Sequence, residues 1–152
     1  MTHIWIRAEQ RPNEQRVGVS PSGVQSLRDL GFEVTIERDP TRAIGIEAYS
    51  GIQIASAGDW LTAPTEAIIL GLKELPDDDF ALRHRHIMFG HAYKGQPAGQ
   101  RLLARFKSGG GALYDIEYLT DDTGYRVAAF GYWAGYAGAA VAIKSWAAAK
   151  SG

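Results

Sequence analysis

The chain has 152 residues, 45% of them hydrophobic, with sixteen lysines and arginines against seventeen aspartates and glutamates and no cysteine. That size and apolar content imply one domain with a real core, and a net charge of −1 provides no basic field to draw nucleic acid or an anionic membrane. The absence of cysteine excludes disulfides, thiolate metal sites and a cysteine nucleophile and fits a reducing compartment, so the cytoplasm is the expected location.

The N-terminal "MTHIWIRAEQ" turns charged too soon for the apolar core of a signal peptide, and export is not expected. Within it "HIWIR" reads as a short strand. "SPSGVQSLRDLG" follows as a helix, with Ser20 as cap, Pro21 in the first helical position and Gly31 just past the end. "FEVTIE" (32–37) alternates with period two, "IQIA" is another strand, and "AIILGL" (67–72) has the continuous apolar character of a fully buried one. "HIMFG" (86–90) is a further strand, "PAGQRLLARFKSG" (97–109) a helix closed by glycine, and "GALYDIEYL" one or two strands around Asp115. Strands alternating with helices predict an α/β fold: a Rossmann-like open sheet with helices on both faces.

The segment "VAAFGYWAGYAGAAVAI" (127–143) carries no charge and contains Gly-x-x-x-Gly at Gly131 and Gly135. It is short for a bilayer span, which needs about 20 apolar residues, and it is rich in alanine and glycine rather than leucine and isoleucine. A long Gly/Ala-rich helix packed closely against another protein element is predicted, and no membrane partner. The domain plan is therefore 1–126 followed by a linking helix over 127–152.

Between these elements lie the groups that could do chemistry. Lys73 leaves the end of the buried strand, where α/β sheets place ligand sites, with Glu74 beside it. His84 and His86 share a face of an extended segment, and with His91 they could make a three-histidine zinc site. Arg83 and Arg85 would repel a cation there, so no metal is expected and His84 reads as solvated charge. His91 lies one step past Gly90 at a strand end, followed by Lys94, and suits acid–base work near neutral pH. By spacing alone, each of these groups is equally consistent with packing or surface charge.

Five blocks in order, "RAEQRPNEQRVGVSPSGVQSL", "GDWLTAPTEAIILGLKELP", "HIMFGHAYKGQ", "LYDIEYL" and "RVAAFGYWAGYAGAAVAI", resemble the N-terminal part of the NAD-dependent, lysine-forming saccharopine dehydrogenases. These are relatives of alanine dehydrogenase and the transhydrogenase N-terminal domain. The resemblance implies oxidation of saccharopine's secondary amine and hydrolysis of the imine to lysine and 2-oxoglutarate. It makes Lys73 the acceptor of the amine proton and His91 the acid–base group of imine hydrolysis. Arg16, Lys94 and Arg126 match cationic positions around the substrate, with Arg11 a neighbouring one. Glu14, Glu74 and Glu117 match acidic positions that tune pKa values.

One departure accompanies the match. The family carries a Rossmann nucleotide domain after the small-residue helix, and no Gly-x-Gly-x-x-Gly between strand and helix occurs here; "SGGGALYD" follows a helix and precedes a strand. The chain is expected not to bind NAD by itself and to need a separate nucleotide-binding domain or chain. A homo-oligomer formed through the apolar helix is also expected. The alternative is a non-catalytic amino-acid or dicarboxylate-binding or oligomerisation module derived from that family.

Overall fold

The computed structural model describes residues 1–129 and 131–150. The chain divides into two compact units, Met1–Ile116 and the residues from Glu117 onward.

The first unit is built on six parallel strands: β1 (His3–Ile6), β2 (Glu33–Glu37), β3 (Gln53–Ala55), β4 (Ile68–Leu70), β5 (Arg85–Met88) and β6 (Ala112–Asp115). Their order across the sheet is β3-β2-β1-β4-β5-β6. Successive strands advance outward from β1 and then, with the step to β4, advance the other way. The winding therefore reverses between β1 and β4, which leaves a crevice beyond their carboxyl ends. Register is fixed by Ile6 opposite Leu70 and Leu70 opposite Ile87.

Helix α1 (Pro21–Asp29) begins as the sequence predicts: the Ser20 hydroxyl accepts from the Gly23 amide at 3.2 Å, and Pro21 occupies the first turn. It buries Val24 against Ile4, Ile6, Val34 and Ile36 on one face of the sheet. Helix α2 (Pro97–Gly109) ends where Gly110 turns left-handed at φ 73°. It buries Leu102 and Phe106 with Trp5, Ile69 and Met88 on the other face. Odd and even residues of β1 thus serve opposite cores, as period two requires. The strand expected over 67–72 is the central β4, with Ala67 and Ile69 fully buried.

Of the one or two strands expected in "GALYDIEYL" one forms, because a 3₁₀ turn over Ile116–Tyr118 follows β6. Two expectations are corrected. His84 is not solvated: it and His86 are each 1% exposed, inside the α2-side core. The final helix, α3, runs Tyr132–Lys150 rather than from Val127.

In the second unit, Thr120 and Arg126 form an antiparallel bridge around a turn organised by Asp121, whose carboxylate accepts from the Thr123 and Tyr125 amides at 2.9 Å. Every described residue of α3 is exposed, Trp133 and Trp146 among them. Among the described residues no helix is long and apolar enough to cross a membrane.

Candidate active site

Three loops of the first unit leave the carboxyl ends of β1, β4 and β5 beside the reversal point, and each carries predicted site residues. The loop after β1 holds Arg11, Glu14 and Arg16; that after β4 holds Lys73 and Glu74; that after β5 holds His91 and Lys94.

A cleft of about 350 Å³ opens among them, lined by Arg11, Glu74, His91, Lys94, Gln96 and Arg105 and by the first turn of α2. That turn approaches closely because residue 99 is glycine: a Cβ there would stand 2.7 Å from the Ala92 carbonyl oxygen. Arg11 and Glu74 form an ion pair of 2.6 Å across the cleft mouth, so Glu74 is paired with arginine rather than with the adjacent Lys73.

Arg16 meets Glu14 through two side-chain contacts, Nε to Oε1 at 2.7 Å and Nη2 to Oε2 at 2.5 Å. The Arg16 hydrogen bonds hold the Glu14 carboxyl at about 2, well below the usual carboxylate range, and the charge of Lys73 acts in the same direction. Glu14 and Lys73 are therefore electrostatic neighbours, although Lys73 itself does not line the cleft.

The backbone under Lys73 is held by two residues that no sequence motif marked. Both oxygens of Glu9 accept main-chain amides, Leu72 at 2.6 Å and Lys73 at 3.0 Å, and the Arg7 guanidinium donates to the Lys73 carbonyl. Arg7 and Glu9 lie 3.6 Å apart with side chains 0% and 5% exposed. His91 has a corresponding support. The Asp115 carboxylate accepts from the Gly90 and Ala92 amides at 3.2 and 3.4 Å, while His91 between them takes a left-handed φ of 48°. Sequence reasoning met Asp115 only as a strand residue; its place at the end of the strand beside β5 was the available signal.

Arg126 and Glu117 belong to the second unit, where Arg126 donates to the Ala128 carbonyl at 3.4 Å. His84 and His86 face the interior while His91 stands at the rim. Among the described residues no group of three histidine, aspartate or glutamate side chains is arranged to hold a metal.

Over 147 residues the chain is 50% identical to the saccharopine dehydrogenase [NAD(+), L-lysine-forming] of Emericella nidulans, covering 95% of this chain and 39% of that protein. The Schizosaccharomyces pombe enzyme of the same name is 47% identical over 95% of this chain and 40% of its own length. The mitochondrial alpha-aminoadipic semialdehyde synthase of Rattus norvegicus is 32% identical over 82% of this chain and 13% of its length. The chain thus spans about 40% of the length of its fungal relatives. The crystal structure of transhydrogenase from Sinorhizobium meliloti superposes with a TM-score of 0.63 at 23% identity, over 80% of this chain and 36% of that one, which establishes the fold. Residues 5–137 match the family described as alanine dehydrogenase/PNT, N-terminal domain, and the chain belongs to that family.

Proposed function

We propose that the chain is the substrate-binding and acid–base part of an NAD-dependent, lysine-forming saccharopine dehydrogenase. The observation that carries this reading is the gathering of lysine, histidine, arginines and glutamates on the three loops beside the sheet's reversal point, in a chain 45–50% identical to enzymes of that name.

The dinucleotide does not fit the described residues. Phosphate binding needs glycines between a strand and a helix N-terminus. Gly109 to Gly111 instead join α2 to β6, and a Cβ on Gly109 or Gly111 would run into the carbonyls of Leu82 and His84, so these glycines serve packing. The nicotinamide cofactor is assigned to another domain or chain.

The chain's own residues handle protons and carboxylates. Lys73 accepts the proton of the substrate's secondary amine. His91 removes a proton from the water that adds to the imine carbon and returns one to the nitrogen as the carbinolamine collapses to lysine and 2-oxoglutarate. Arg16 and Lys94 are the cations for the substrate's carboxylates, and a guanidinium fork suits that task. Glu14 and Glu74 balance the cations of the first unit, as the Glu14–Arg16 and Glu74–Arg11 pairs illustrate. Arg126 and Glu117, in the second unit, match further cationic and acidic positions by the family resemblance alone.

The test uses the protein completed by its nucleotide-binding part. Lys73→Met is expected to lower turnover by roughly 10²–10⁴-fold, and His91→Gln to slow imine hydrolysis more than amine oxidation. Arg16→Ala should raise KM chiefly. Parent-rate turnover by folded Lys73→Met and His91→Gln proteins would make these residues ordinary surface groups.

A further inference from the structure

We infer that Arg7 and Glu9 are a positioning pair that fixes the main chain from which Lys73 projects. The inference rests on the reading of Lys73 as a proton acceptor. β4 ends at Leu70, and its ladder continues only through the Gly71 amide, which donates to Ile87, and the Leu72 carbonyl, which accepts from Phe89. The Leu72 and Lys73 amides find their acceptors in Glu9 instead. The Lys73 carbonyl takes its donor from Arg7. The peptide groups on both sides of the Lys73 Cα are therefore tied to one buried ion pair just past the end of the neighbouring β1.

Burying such a pair is costly unless hydrogen bonds satisfy both partners, and apolar residues of similar volume would commonly fold as well or better. Here the contacts go to main-chain groups of 72 and 73, and to the Ala8 carbonyl, which Arg7 reaches at 3.1 Å. Gly71 belongs to the same device, since a Cβ there would overlap the Arg7 guanidinium. A lysine side chain is flexible, and fixing its main chain removes the motion that side-chain contacts cannot. Misplacement by about 1 Å can cost roughly 10²-fold in rate.

Two readouts separate positioning from simple support of the fold. In the 152-residue chain, Glu9→Gln should lower hydrogen-exchange protection of the Leu72 and Lys73 amides by roughly tenfold or more, as one hydrogen bond to a charged group is lost, while Ile69 and Met88 keep theirs. In the protein completed by its nucleotide-binding part, the same change should lower kcat by roughly tenfold or more at unchanged KM. It should add little in a Lys73→Met background. If Glu9→Gln does not fold, Glu9→Asp keeps the charge beside Arg7 but falls one methylene short, and the same pattern is expected. Lost amide protection without loss of kcat, or a loss fully additive with Lys73→Met, overturns the positioning role. Parent turnover in Lys73→Met overturns the reading of Lys73 and this role with it, a result recognisable because the two amides still respond to Glu9.

Discussion

The sheet interior near β5 and the rim just beyond it use the same side chain in opposite ways. Inside, His84 is anchored at 3.1 Å to the Ala63 carbonyl, and His86 has neither ring nitrogen hydrogen-bonded, enclosed by Trp60 and Phe106 at centroid distances of 5.2 and 5.3 Å. Burial, reinforced by the positive charge of Arg7, pushes His86 down to about 3, so it is a neutral packing element. Five residues on, His91 is half-buried beside a cleft that contains Lys94 and the Arg11–Glu74 pair. What separates the two is the position relative to the strand's end at Met88: His86 lies two residues inside it and His91 three beyond it, which reverses the access to water and to charge.

The strongest way to break that contrast is by pH. A histidine whose folded pKa lies below its unfolded value of 6.5 leaves stability intact above 6.5 and removes it as pH falls toward about 3, because the unfolded chain binds the proton first. His86 alone should cost roughly 3–5 kcal/mol across that window. Urea unfolding at several pH values should show the slope, and His86→Met should flatten it; an equal slope in the variant would mean that the ring is not held neutral. The seam between interior and rim comes next. Gly99→Ala forces the first turn of α2 away from Ala92 and should cost roughly 1–3 kcal/mol, read as a lower urea midpoint, with the largest amide chemical-shift changes at 90–94. At the rim, Asp77→Asn removes the exposed ion pair with Arg101 and should leave the urea midpoint at neutral pH indistinguishable from the parent, since such pairs contribute little in water. A clear shift there would show that the rim shares in the core's stability.

The sheet was largely legible in the sequence because period-two alternation and the Ser20–Pro21 and Gly110 signals are local. Alternation also contained the correction to His84. In "RHRH" (83–86) the arginines turn out, donating to the Leu61 and Glu66 carbonyls, and the histidines turn in. Charge at 83 and 85 had outweighed the period. The start of α3 is not legible because "VAAFGY" (127–132) holds no Ser, Thr, Asp or Asn to cap a helix. Arg7 and Glu9 stand in the first block of the family resemblance, but their contacts are not legible there. Their partners lie 63 to 66 residues away, and a charged pair near a strand end reads as solvent-facing until the neighbouring strand is known. The candidate reactive side chains are named through a family resemblance, whereas the contacts that hold their main chain appear only once the strand order is in hand.

Glu37 at the end of β2 accepts the Ala8 amide at 2.9 Å after β1, Glu9 after β1 accepts amides after β4, and Asp115 at the end of β6 accepts amides after β5. Each loop root is clipped at its main-chain amides by a carboxylate from an adjoining strand or loop, while Glu37 also accepts the Trp5 indole and Glu9 also pairs with Arg7. The clipping amides belong to the main chain, so a change of side chain at 11 or 74 leaves those hydrogen bonds in place. A scaffold of this kind can be reassigned to a new substrate by a few substitutions at the rim, its core untouched.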